Sequence, residues 1–218
     1  GTWSANDGGQ YIIADLRYGA DLFQTCRSEK IRRLLRIALP FAIMPAIVLL
    51  LPLGIQSQYY ALVSFIMVLL ALLLFLAGFE RRDLGTRRMI LVSVMTALSV
   101  LGRLLPLIKP ITALTVLSAM YLGPEAGFLV GALSAVLSNF IMGQGPWTPF
   151  QMLAWGLIGL FAGLLAKPLQ RSPLLLYAYG MLSGVAYSML LDIWTTVWTY
   201  KEFTLHEYAA AISTAVPL

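Results

Sequence analysis

Residues 59–79 carry no charged side chain across 21 positions, and most of them are Leu, Val, Ile, Ala or Phe. That length matches the roughly 20 apolar residues a helix needs to cross a bilayer. Comparable runs recur along the chain with short turns between them. In lipid only helices and closed barrels satisfy their own backbone polar groups, and the two-residue alternation of a barrel strand is missing here. The chain therefore reads as an all-α polytopic membrane protein. With 59% hydrophobic and 11% charged residues in 218, its composition lies far outside the soluble range.

The net charge of +5 does not form a nucleic-acid face. Arg27, Lys30, Arg32, Arg33 and Arg36 precede the first apolar run, and Arg81, Arg82, Arg87 and Arg88 follow the second. Basic residues flanking spans are a topology signal that places those segments, and the N-terminus, in the cytoplasm. Contact with anionic lipid is compatible with the same pattern. Cys26 and His206 are the only residues of their kinds, so a disulfide, a Cys/His metal site and a Cys-His nucleophile all lack materials. No phosphate-cradling glycine loop follows a strand pattern. The expectation is a protein that is no enzyme, holds no cofactor or metal, and takes any driving energy from another chain.

In order, residues 1–33 form a polar tail or the end of a larger region. The chain starts at Gly1 rather than Met, which reads as an excerpt. A basic amphipathic helix is expected from Glu29, with Ile31, Leu34 and Leu35 on one face. Residues 34–88 hold two accessory spans, 36–53 and 59–79, and a basic loop. Neither span has an ionisable group to bury, so both are expected to face lipid or a partner. The third span, 89–105, carries Ser93, Ala97 and Gly102 before Arg103. Residues 106–110 make an outer loop with Lys109, and 111–122 is short for a span. Gly123, Gly127 and Gly131, then Gly156, Gly159 and Gly163, mark small-residue faces on the fifth and sixth spans, 124–142 and 151–166. Glu125 reads most simply as a cap on a helix dipole. Residues 167–171 read as a basic loop, and 172–198 as a seventh span bearing Asp192, Trp194 and Trp198. An eighth helix opens at Glu207 and ends incomplete.

The least membrane-like stretch, 138–152, lies between two apolar runs. Gly143, Gly145, Pro146 and Pro149 should end one helix near Met142 and start the next near Pro149. Asn139, Gln144, Thr148 and Gln151 gather donors and acceptors there beside Trp147. The reading is either a pocket with convergent polar groups or a tight hairpin with an interfacial tryptophan. Arg103, Lys109 and Asp192 are the ionisable groups nearest the membrane in the second half. Charge at that depth points to ligand contact, to snorkelling, or to an Arg103–Asp192 bridge.

The run over 123–135, Gly-Pro-Glu-Ala-Gly-Phe-Leu-Val-Gly-Ala-Leu-Ser-Ala, is followed by Ser138-Asn139-Phe140 and by Gly143-Gln144-Gly145-Pro146-Trp147-Thr148-Pro149. On these residues the chain from 89 to 218 resembles the substrate-binding S components of bacterial energy-coupling factor (ECF) vitamin transporters. The resemblance implies a six-helix core, its last helix incomplete here, preceded by two extra spans. It implies capture of a vitamin at the outer face, docking with a shared transmembrane coupling subunit and two ATPase subunits, and toppling to release cargo. Residues 106–110 would be a lid, and Ser93 and Ala97 would face the coupling subunit where the family shows two alanines. Arg103, Lys109, Asn139, Gln144, Trp147, Gln151, Asp192 and Trp194 are the expected substrate-binding set. Their chemistry suits a vitamin-like heterocycle, with cobalamin-type and pyridoxine-like compounds both open. The rivals are a ligand-free membrane scaffold and an intramembrane enzyme built on Asp192.

Overall fold

The computed structural model describes residues 29–54, 59–77, 86–104, 110–200 and Tyr208. α1 (Glu29–Ala38) passes through a π-helical turn (Leu39–Ile43) into α2 (Met44–Gly54). Then come α3 (Tyr60–Ala77), α4 (Thr86–Arg103), α5 (Ile111–Leu122), α6 (Pro124–Met142), α7 (Thr148–Leu164), α8 (Ala166–Arg171) and α9 (Pro173–Tyr200). No strand occurs among the described residues. The protein is an all-α membrane protein. By length and composition, Ile31–Leu50, Pro124–Met142 and Pro173–Thr196 can each cross a bilayer, and Ala61–Ala77, Ile111–Leu122 and Thr148–Leu164 are apolar but shorter. Apart from Tyr208, the eighth helix expected from Glu207 lies outside the described residues.

Pro45 shifts the hydrogen-bond register of the first span without ending it. Pro45 has no N–H to offer the Phe41 carbonyl, and the Met44 N–H donates to the Leu39 carbonyl five residues back. The helix continues through the defect.

The centre of the bundle is the α6–α7 pair with α5 against both. α6 is buried over most of its length, whereas few residues of α9 are fully buried. Glycines explain how close α6 and α7 come. A Cβ on Gly131 would lie 2.5 Å from the Trp155 carbonyl oxygen, one on Gly159 would lie 2.4 Å from the Gly127 oxygen, and one on Gly163 would lie 2.3 Å from the Pro124 Cα. Backbone meets backbone along this seam, the close approach on which helix association in lipid relies. The two small-residue faces expected from sequence are therefore one interface. Gly180 and Gly184 of α9 differ, since a Cβ there would meet nothing within 4 Å. Gly180→Ala is expected to leave the fold intact and to stabilise α9 by about 0.5–1 kcal/mol through helix propensity, measured as a rise in thermal midpoint.

Three expectations are corrected. The second accessory helix, expected to face lipid or a partner, packs one side on the protein's own core: Val63, Met67, Ala71 and Leu74 of α3 are buried, and α3 lies against α6 and α7. The opposite side of α3, with Leu62, Phe65 and Leu69, is exposed. Glu125 is no simple dipole cap. It is 4% exposed, accepts a 2.6 Å hydrogen bond from Arg36 Nε, and forms an ion pair with the same guanidinium through Nη2. A carboxylate buried this deeply needs a cation, and α1 supplies it across 89 residues of sequence. Residues 167–171 form no loop either. They belong to α8, which buries Leu169 and lets Gln170 Nε2 donate to the Met120 carbonyl at 2.8 Å near the end of α5.

Candidate ligand-binding site

The bundle has two unlike ends. One gathers Arg36, Arg88, Glu125 and α8. The other gathers the C-terminal ends of α4 and α6, the N-terminal ends of α5 and α7, and the last third of α9.

This second end is shaped by the break between α6 and α7. Gly143 sits at φ +112°, a conformation open to glycine, and its N–H closes α6 on the Asn139 carbonyl at 2.8 Å. The chain turns, and the Thr148 N–H donates to the Gly145 carbonyl at 2.9 Å as α7 begins. The tight turn sets Asn139, Gln144, Thr148 and Gln151 side by side.

The hydrogen bonds then run in one direction. Arg103 Nη1 donates to Ser138 Oγ at 2.6 Å and to Asn139 Oδ1 at 2.9 Å. Because a guanidinium only donates, the Asn139 oxygen must face it and the amide N–H groups must face away. Those go to Thr148 Oγ1 and Gln151 Oε1, each at 2.8 Å. Thr148 Oγ1 donates to Gln144 Oε1 at 2.9 Å, and Gln144 Nε2 ends the chain on the Val136 carbonyl at 3.0 Å. Asn139 is 1% exposed and Thr148 is fully buried, so each bond here acts at low dielectric.

An aromatic layer lies beneath. The Arg103 guanidinium sits 5.1 Å from the centre of the Trp155 ring, which stacks on Tyr187 at 4.6 Å. Trp155 Nε1 donates to Thr112 Oγ1 at 3.2 Å. Arg103 thus meets two neutral oxygens and a π-face. It makes no ion pair with Asp192.

Of the residues singled out from sequence, Arg103, Asn139, Gln144 and Gln151 share this network. Trp147 is partly exposed at the mouth of the turn, folded over Gly145. Trp194 is buried against Phe150 with ring centres 5.6 Å apart, next to Gln151 in sequence. Asp192, on the same stretch of α9, has Oδ2 covered and without a hydrogen-bond partner. Lys109 lies outside the described residues, as does the lid apart from Pro110, which touches Gly102 closely enough that a Cβ there would meet the proline Cγ at 2.2 Å. Ser93 and Ala97 lie elsewhere, on the exposed face of α4, with the Ser93 hydroxyl returned to the Met89 carbonyl. Ser138, Trp155 and Tyr187 also adjoin this network and were not among the residues singled out from sequence. Ser138 was visible beside Asn139, but Trp155 and Tyr187 looked like ordinary apolar positions within spans.

Residues 83–216 match the family described as ECF-type riboflavin transporter, S component. The chain belongs to this family. The ECF S-component match covers α4 to α9 and includes every member of the Arg103–Asn139–Gln144 network, whereas α1, α2 and α3 precede it. No curated protein and no solved structure matches the chain. Family membership makes the protein a substrate-binding subunit of an ECF transporter, located in a membrane and working with a shared transmembrane and ATPase module. The family is one of transporter components rather than of enzymes.

Proposed function

We propose that the protein captures riboflavin or a close flavin analogue at the Asn139 end of the bundle for ATP-driven import. The observation that carries the reading is the Arg103–Asn139–Thr148–Gln151 network above a Trp155–Tyr187 stack, in a chain of this family. Riboflavin has a planar three-ring system, an imide edge of alternating acceptors and a donor, and a polyhydroxylated chain. The network is internally satisfied, so it arrives pre-formed and a ligand does not pay to order it. What remains for a ligand is specific: the other N–H groups of Arg103, the unpartnered Asp192 Oδ2, and the partly exposed rings at Trp147 and along α9.

In this reading the Asn139 end faces outside and the end with Arg36 and Arg88 faces the cytoplasm, as the positive-inside pattern requires. Residues 106–110 close over the ligand, with Lys109 contributing from above. Ser93 and Ala97 then lie on a face of α4 whose neighbours Ile90, Val94, Leu98 and Leu101 are also exposed, a surface suited to the transmembrane coupling subunit. The two ATPases act through that subunit.

A thermal-shift panel tests the substrate class. Riboflavin at a hundredfold excess over its dissociation constant should stabilise the detergent-purified full chain by roughly 2.7 kcal/mol. Cobalamin and pyridoxine should leave its midpoint unchanged. A response to either of those alone would move the assignment to that vitamin, and a flat panel from folded protein would favour the ligand-free scaffold.

A further inference from the structure

α1 is turned inside out relative to a helix in water. Ile31, Leu34 and Ile37 are exposed, and so is Phe41 in the π-helical turn that follows. Leu35 and Leu39 pack on the core, and Arg36 points inward to Glu125. Arg32 is one turn before Arg36 and so shares its inward face. Its Nε is fully covered, yet takes no acceptor. The buried carboxylate at this end of the bundle, Glu125, is already held by Arg36, and the second guanidinium beside it, Arg88, lies against Gly123 and over the Phe75 ring at 5.6 Å. Among the described residues, no carboxylate forms an ion pair with Arg32.

A covered guanidinium N–H without an acceptor is costly, and the cost falls when an anion completes it. Position decides which anion. Arg32 lies in the first turn of the apolar span Ile31–Leu50, where a flanking basic segment meets the membrane surface, and Ile31 and Leu34 on either side of Arg32 and Arg33 are exposed. We propose that Arg32, with the exposed Arg33 beside it, binds the phosphate group of an anionic phospholipid, and that α1 is a lipid-anchored brace for the S-component core. The Arg–phosphate pair supplies charge-assisted, bidentate hydrogen bonds at a point where a basic segment already meets the membrane surface. Through Arg36 and Glu125 the brace reaches the start of α6, the helix whose far end carries Asn139. The inference concerns a segment before the family match and is independent of the flavin assignment.

Native mass spectrometry of the full chain from nanodiscs of phosphatidylcholine with phosphatidylglycerol tests it, alongside thermal midpoints with and without the anionic lipid. One retained phosphatidylglycerol and a higher midpoint are expected for the wild type. Arg32→Gln should lower retention roughly tenfold, the size of one charge-assisted hydrogen bond, while keeping the wild-type midpoint in phosphatidylcholine alone. Arg87→Gln removes an exposed cation and should change nothing. If inorganic phosphate in phosphatidylcholine nanodiscs reproduces the shift, the same site takes soluble phosphate. Absence of any retained anionic lipid or phosphate effect in the wild type, or full retention in Arg32→Gln, would overturn the proposal.

Discussion

Gly131→Leu is expected to abolish the folded bundle. A Cβ at this position would lie 2.5 Å from the Trp155 carbonyl oxygen and 2.6 Å from its carbon, and neither atom can swing aside as a side-chain tip would. Even alanine must push α6 from α7, and leucine adds three more carbons to the same gap. The cost should reach or exceed about 3 kcal/mol, the upper end of ordinary overpacking. The displaced seam also carries Asn139 and Gln151, so separation of the helices would undo the polar network with the packing. Size-exclusion chromatography and thermal unfolding of the detergent-extracted full chain measure this. A monodisperse Gly131→Leu protein with a wild-type midpoint would show that the α6–α7 contact is looser than described.

The second large effect belongs to Asn139→Leu. The two side chains are close in volume, so the change isolates the amide. Arg103 Nη1 loses an acceptor at 2.9 Å, while Thr148 Oγ1 and Gln151 Oε1 each lose a donor at 2.8 Å. A buried polar group left unsatisfied costs about 1–3 kcal/mol, and the Arg103 bond is charge-assisted, so a total on the order of 3 kcal/mol is expected. Gln144→Leu offers the contrast. Gln144 is half-buried at the end of the chain of bonds, and its loss strands only Thr148 and the Val136 carbonyl. Its midpoint should fall by less than half as much. Equal losses in the two variants would mean that the network is not organised around Asn139.

Local chemistry made much of this architecture legible. The helix break at Gly143 and Pro149 followed from backbone sterics, and the structure ends α6 at Met142 and begins α7 at Thr148. Glycines repeating on one face announced close packing, though not that the two faces meet each other. The crowding of Asn139, Gln144, Thr148 and Gln151 needed only a tight turn between their helices. What periodicity does not encode is which distant residue answers a charge. Arg103 had Asp192 as a candidate by sign, yet the fold gives it Ser138, Asn139 and the Trp155 ring, because α4 and α6 lie side by side at that level. Glu125 had an adequate local role at a helix N-terminus and instead meets Arg36 from a helix that precedes the family match. Trp155 and Tyr187 carry no sequence signal that separates a ring under a guanidinium from a ring in the core. Residues 167–171 looked like a loop because of their charges, and the burial of Leu169 and the Gln170 bond hold them helical.

The most direct test of the account is an equilibrium titration of riboflavin with the reconstituted full chain, followed by quenching of the flavin's own fluorescence as it stacks on aromatic side chains. The account predicts saturable quenching with one site per chain, weakened in Trp147→Ala, whose partly exposed ring can be removed without opening the core. Folded wild-type protein that leaves riboflavin fluorescence unchanged, with no saturation up to the solubility of the vitamin, would contradict it.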